Sequence, residues 1–347
     1  MSAFFHGRRD RRLMALLVLA LVSIALALGA VYYRAAVLSP RYQPMKVFSG
    51  LARQLTRGDV TRIYIVSKKY GAFTVAFVPQ KGWVLPDHGN YPASFDMVKQ
   101  TLLAIAAMQT IEPKTDRPEW FHYVDLDPPP QGDGINVTLS GDRGHVIASM
   151  IVGKSEPLGD DLGVFVRRAG ENQSYLVRSP AEIKAAPAEW MDKTVIGIAA
   201  DRIASAEVKP ANGPAYTAAR VKPNDGFVIA PLPKGRKLAY PGAADATAAA
   251  LSDFGFDDIR RSTDFDFTDG ARLTVHTFDG LSVTVNLVTE DNATWARVFA
   301  EFQPGYPGAA KEAVSINART EGWAFKLPAY KATAFAPALE SLLKAKK

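Results

Sequence analysis

The sequence predicts an α+β protein: one N-terminal transmembrane helix, then two tandem related units of antiparallel β-hairpins with packed helices. Three observations carry that prediction. Leu13 to Val31 runs without a charge. Beyond it, short stretches alternate apolar and polar residues around turn residues, the period-2 signature of strands with one buried face. The order of these stretches then repeats at near-constant offsets of about 140 residues.

Composition sets the outer limits. The chain has 347 residues, 48% hydrophobic and 22% charged, enough for one large or two medium domains. It has no cysteine, which excludes disulfide frameworks, thiolate nucleophiles and thiolate metal sites. The formal charge of +6 is concentrated at the start, where Arg8, Arg9, Arg11, Arg12 and Arg34 face Asp10 alone. The rest of the chain is close to neutral and lacks the electrostatic footprint of a nucleic-acid partner.

Residues 1–12 read as a basic cytoplasmic tail and 13–33 as the transmembrane helix. A helix over Leu13 to Val31 spans most of a ~30 Å hydrocarbon core, so this segment is the expected contact with a lipid bilayer. The positive-inside rule keeps the arginines in the cytoplasm and exports everything after Val31. Tyr32 and Tyr33 fall where an interfacial aromatic belt lies. The competing reading is a cleaved signal peptide, with Ala25-Leu26-Ala27 as its small-residue motif. The apolar run exceeds the ~7–15 residues of a signal core and bulky residues follow, which favours a retained anchor.

Residues 34–59 form a connector with a short amphipathic helix, because Phe48, Leu51, Ala52 and Leu55 share a helical face. The first unit, 60–198, opens with strands at Val60–Val66 and Ala72–Val78, then Trp83-Val84-Leu85. A helix follows from Ala93 to Met108 with Phe95, Val98, Leu102, Ile105 and Met108 inward. Three prolines keep the loop from Asp125 to Gly134 extended. Hairpins follow at Ile135–Leu139 with His145–Val152 and at Val164–Arg167 with Tyr175–Val177. A helical stretch from Pro180 to Trp190 closes the unit. The second unit, 199–347, repeats the order. It has Ile203–Val208 with Tyr216–Val221, then Phe227–Ile229, an alanine-rich helix at Ala243–Phe254, a hairpin at Arg272–Val288, Trp323-Ala324-Phe325 and a last helix from Tyr330 to Leu343. Ile63 aligns with Ile203, Ile135 with Arg272, and Tyr175 with Trp323.

The hairpin at Asp279-Gly280 admits two registers. A two-residue turn would place Val275 opposite Thr284 and split the apolar residues between faces. A three-residue loop with Gly280 left-handed pairs Val275 with Val283 and Leu273 with Val285 on one face, with His276 on the other. We expect the second register, with Asp279 serving the turn rather than catalysis.

Catalytic and cofactor patterns are imitated rather than met. His6, His88, His122, His145 and His276 show no metal-ligand spacing and no HExxH. Gly153-Lys154-Ser155 resembles the end of a phosphate-binding loop, but Ala148 stands where that loop needs glycine, so no nucleotide is expected. Asp264, Asp266 and Asp269 misplace the spacing of a calcium loop. No GxSxG elbow occurs. No cofactor or metal is expected.

Several features in this order resemble a known family. They are a single anchor, Trp83 ahead of Tyr91-Pro92-Ala93 and its helix, Ile151-Val152-Gly153, and Val164-Phe165-Val166-Arg167. Glu189-Trp190-Met191-Asp192-Lys193 and Thr277-Phe278-Asp279-Gly280-Leu281 complete the set. The chain resembles the DUF4340 family, a domain of unknown function. That resemblance implies a bacterial inner-membrane protein facing the periplasm, similar in setting to auxiliary proteins of ABC-type export or gliding-related transport systems. It supplies no catalytic residues.

The expected function is a non-enzymatic, membrane-anchored periplasmic accessory or binding protein, whose partner is an inner-membrane permease or auxiliary subunit. Tyr91, Trp120, Arg167 and Trp190 are the candidate interface. Two alternatives stand beside it: a module binding envelope glycan or peptide, and an envelope hydrolase using Asp160, Asp161 and Asp264.

Overall fold

The computed structural model describes residues 8–37 and 42–345. His6 and part of the expected connector lie outside the described residues. Helix α1 (Arg8–Val37) contains the apolar run. Its Met14–Tyr33 segment is long and apolar enough to be a membrane span or a signal sequence, and none of it is buried against the chain. Helix α2 (Leu51–Arg57) is the short connector helix. It begins later than expected because the Val47 N–H bonds to the Met108 carbonyl at 3.2 Å, tying that stretch to the body.

The first sheet is formed by β1 (Arg62–Ser67), β2 (Gly71–Val78), β3 (Gly82–Leu85), β4 (Tyr91–Pro92), β5 (Gln109–Pro113), β6 (Ile135–Ser140), β7 (Val146–Leu158), β8 (Asp161–Arg168) and β9 (Ser174–Ser179). Its spatial order is β4-β3-β2-β1-β6-β7-β8-β9-β5, with every pair antiparallel. Alternation decides its inner face: Ile63 and Ile65 of β1 and Phe73 and Val75 of β2 are fully buried. Helix α3 (Phe95–Ala107) packs on that face. Its N-terminus is capped by Ser94, whose hydroxyl accepts from the Met97 N–H at 3.3 Å. Val98, Thr101, Ala104 and Ile105 point inward, while Phe95, expected in the inward stripe, is exposed. Of the helix expected over Pro180–Trp190, only α4 (Pro187–Trp190) forms. Proline disfavours helical backbone in the residue before it, and Ala186 is extended (φ −86°, ψ 126°).

The second sheet has eight strands. Its strands are β10 (Ile203–Lys209), β11 (Tyr216–Ala219), β12 (Val228–Ala230), β13 (Asp258–Arg261), β14 (Ala271–Thr277), β15 (Leu281–Glu290), β16 (Ala293–Phe302) and β17 (Trp323–Lys326). Their order is β12-β11-β10-β14-β15-β16-β17-β13. Written against the first sheet, this falls on β3-β2-β1-β6-β7-β8-β9-β5, leaving β4 without a counterpart. The three aligned landmarks fall on β1 and β10, β6 and β14, and β9 and β17.

Helices differ from expectation more than strands do. The alanine-rich segment forms only one turn of helix, α5 (Asp245–Ala248); the Ser252 hydroxyl takes the Ala249 carbonyl at 2.7 Å, competing for a helical acceptor. A full helix, α6 (Pro307–Thr320), lies where none was expected. Its buried residues are Ala309, Ala313, Ile316 and Thr320, and it packs on β16. There the Asn317 side chain bonds both the N–H and the carbonyl of Ala300, at 2.7 and 2.8 Å. The expected last helix stops as α7 (Ala329–Phe335), because Pro337 interrupts it before a short 3-10 turn at Leu339–Leu342.

The Asp279-Gly280 hairpin adopts the expected register. Val275 faces Val283 and Leu273 faces Val285, all four fully buried. Gly280 is left-handed at φ 85°, and His276 pairs with Ser282 on the other face. Buried apolar residues of both sheets belong to one contiguous core.

Candidate functional site

The inner face of the first sheet is not fully covered. Phe73, Val75 and Phe77 share one face of β2, since side chains two apart point the same way. The first two are buried, but Phe77 is 48% exposed. Phe77 pairs across strands with Trp83, their rings edge-to-face at 5.9 Å. Between α2 and α3 this leaves an open, mainly apolar groove of about 370 Å³. Phe77 and Trp83 line the sheet side, Leu55 lies on α2, and Val98 and Leu102 are on α3, with Lys99 at the rim. Phe95 and Leu103 are 64% and 53% exposed at its mouth.

The segment that leads from the apolar helix into α2 is tied to the body at β5. The Tyr42 hydroxyl bonds to Thr110 at 2.8 Å, and the Thr110 N–H bonds to the Met45 carbonyl at 2.9 Å. The body therefore grips the chain from Tyr42 onward. Only residues 38–41 separate that grip from the end of α1. Five backbone steps reach at most about 18 Å.

The four expected interface residues have unequal positions. Three of them are interior and do not form a surface. Trp190 is fully buried, edge-on to Phe73 at 6.3 Å, and its indole N–H donates to the Lys184 carbonyl at 3.0 Å. Tyr91 is buried where the two sheets meet. Its ring lies edge-on to Trp323, Phe256 and Phe325 at 5.3, 5.9 and 6.4 Å. Burial, with the Asp192 carboxylate adding to it, raises the pKa of its hydroxyl above the ordinary value. Arg167 is buried over the Phe121 ring and donates to the carbonyls of Leu126 and Glu171 at 3.1 and 3.2 Å. Burial lowers its pKa. Each is buried by partners distant in sequence. Only Trp120 is exposed. It shares the Pro118–Val124 turn with exposed Tyr123, and Arg117 lies 4.9 Å from the centre of its ring.

A family model described as "Domain of unknown function (DUF4340)" matches residues 83–275, more than half of the chain. The chain belongs to the DUF4340 family. No curated protein and no solved structure matches it. The DUF4340 match runs from Trp83 in β3 to Val275 in β14, so it crosses from the first sheet into the second. It takes in Tyr91, Trp120, Arg167 and Trp190, together with α3 and one wall of the groove.

The remaining polar groups of this DUF4340 protein are spread over both sheets. Asp160 lies in the β7–β8 turn and Asp161 begins β8, where it pairs with Arg178 at 3.2 Å. Asp264 lies on an exposed turn before β14, in the other half of the chain. Among the described residues these carboxylates form no cluster able to hold a metal ion. Ser282, His276 and Glu207 do converge: Ser282 Oγ is 2.8 Å from His276 Nδ1, and His276 Nε2 is 3.4 Å from Glu207 Oε1. They sit on neighbouring strands β15, β14 and β10, and Ser282 lies between His276 and Glu301 of the flanking strands. Ser282 and His276 form the last pair of the β14–β15 ladder, beside the hairpin turn. Cross-strand polar pairing accounts for the cluster. Gly153 of the phosphate-loop imitation is a packing residue: a Cβ there would lie 2.1 Å from the Val124 carbonyl oxygen.

Two further polar contacts were not legible in the sequence. Arg202 binds both Asp279 and Glu312, with Nε 3.0 Å from Asp279 and Nη2 2.7 Å from Glu312. It ties the hairpin turn to α6. Lys193 donates to the Phe256 carbonyl at 2.6 Å, with its ammonium 3.7 Å from the Phe256 ring centre. The residue keeps exposed surface, but its ammonium is locally desolvated. That lowers its pKa to about 8, against the opposing pull of Asp257, Asp258 and Glu189.

Proposed function

We propose that this DUF4340 chain is a membrane-anchored, non-enzymatic accessory protein of a bacterial inner membrane. In this reading its body faces the periplasm beside an ABC-type export or gliding-related transport system. The observation that carries it is the short tether. An apolar helix with nothing packed on it lies four residues from a body gripped at Thr110. Such a body stays beside whatever α1 contacts in the bilayer. The matching strand orders of the two sheets support a further part of the reading, that the body is a duplicated scaffold.

Photo-crosslinkers at Leu19 and Leu26 of α1 and at Trp120, in native membranes, test this. A permease or auxiliary subunit trapped through α1 is the expected result. Lipid alone at both α1 positions, with no protein at Trp120, would overturn it. Exposed Trp120 and Tyr123 favour a second reading, an envelope glycan- or peptide-binding module, since exposed rings flanked by polar groups suit such ligands. Its test is retention on a peptidoglycan column, lost in Trp120→Ala.

A further inference from the structure

We infer that the α2–α3 groove face rests on the same bilayer that holds α1, with the groove open to lipid. The inference rests on the reading that α1 crosses the membrane. Three observations carry it further. The first is reach. The groove mouth at Leu103 is one helical turn from Ala107, whose carbonyl accepts from Lys46 at 3.2 Å. Lys46 in turn lies just beyond the short tether, so this face is held near the end of α1. The second is chemistry. The groove is mainly apolar, and Phe77, Phe95 and Leu103 stay exposed around it.

The third is charge. Arg53 and Arg57 lie on α2, Arg62 begins β1 and Lys99 lies on α3 at the groove rim, against Asp59 in the α2–β1 loop and Asp96 on α3. Among the described residues none of these four cations takes part in an ion pair. An apolar groove with Lys99 at its rim and further cations on the neighbouring elements suits the interface of an anionic leaflet, and such charges attract the surface over roughly one Debye length, about 10 Å. A groove for a protein segment needs no such proximity to α1.

The absence of cysteine makes the test direct. Single-cysteine variants L19C, L103C and V221C of the full chain, each bearing a bimane, are placed in nanodiscs containing anionic lipid. Nitroxides are carried either on the headgroup or deep in the acyl chain. Val221 is an exposed control in the second half. Headgroup nitroxide should quench Leu103 several-fold more than Val221. K99E and R57E should reduce that quenching, and so should high salt. Equal quenching at Leu103 and Val221, with Leu19 quenched by the deep probe, would overturn the inference while leaving the anchor intact. An unquenched Leu19 would overturn both together.

Discussion

The Tyr91 hydroxyl donates to the main-chain carbonyl of Asp192 at 3.0 Å, while its ring meets Trp323 edge-on at 5.3 Å. One side chain from β4 thus binds both the segment leading out of the first sheet and a strand of the second. Tyr91→Phe keeps the ring and loses the hydrogen bond, so it should cost about 1 kcal/mol. Tyr91→Ala also removes the aromatic contacts and should cost about 3–5 kcal/mol. Urea unfolding in detergent measures both. Equal costs for the two variants would show that the ring does not hold the junction.

Lys193 should make stability depend on alkaline pH. Its pKa is near 8 in the folded chain and 10.5 in the unfolded one. Between those values the unfolded state holds more protons, so stability rises with pH across this window. The desolvation cost is fully present below pH 8. Lys193→Met removes the titration, and the slope between pH 8 and 10 should flatten. Tyr91 works in the other direction only above pH 10, because its raised pKa favours the protonated folded form. Thermal melts at half-unit steps from pH 7 to 12 separate the two.

Strands were more legible than helices, and faces more legible than neighbours. The Asp279-Gly280 register followed from alternation alone, since one register gave a continuous apolar face. The next hairpin was missed although its turn is written in the chain: Asp291 and Asn292 both take positive φ, 49° and 60°, joining β15 to β16. Helix α6 escaped because Ile316 is the one large apolar residue in a buried stripe otherwise made of two alanines and a threonine, giving little apolar contrast. The groove could not be read at all. Periodicity marks Phe77, Trp83 and Phe95 as apolar, but not whether another element covers them. Tyr91 and Trp190 looked like surface residues for the converse reason, because Phe73, Trp323 and Phe325 bury them from far along the chain.

Arg167 should act as the clasp of one loop. It bonds the Leu126 and Glu171 carbonyls and lies 4.6 Å from the centre of the Phe121 ring. Arg167→Met retains much of the packing but leaves the buried Leu126 carbonyl without this donor, at roughly 2–3 kcal/mol. Hydrogen exchange should rise first over residues 118–134 and leave the second sheet unchanged. Uniform exchange across both sheets would show that Arg167 supports the whole core.

The Asp279-Gly280 turn should respond mainly to its glycine. Gly280 sits at φ 85°, and a Cβ there would lie 2.5 Å from the Tyr306 ring. Gly280→Ala therefore meets both a left-handed backbone and a clash, and should cost more than the roughly 1–2 kcal/mol of the backbone term alone. Asp279 contributes less. Burial raises its pKa, hydrogen bonds from Thr277 and Arg202 outweigh that, and the net shift is downward. Its pair with Arg202 is half-exposed, so Asp279→Asn should cost under about 1 kcal/mol. Any such contribution is present above the unfolded carboxylate pKa and fades as pH falls through the lower folded value. Arg202→Met should exceed Asp279→Asn, because it also releases Glu312 and frees α6 from the turn. Thermal melts of the three variants give the order Gly280→Ala, Arg202→Met, Asp279→Asn from most to least destabilised. A larger loss for Asp279→Asn than for Gly280→Ala would make the carboxylate, not the backbone, the centre of this turn.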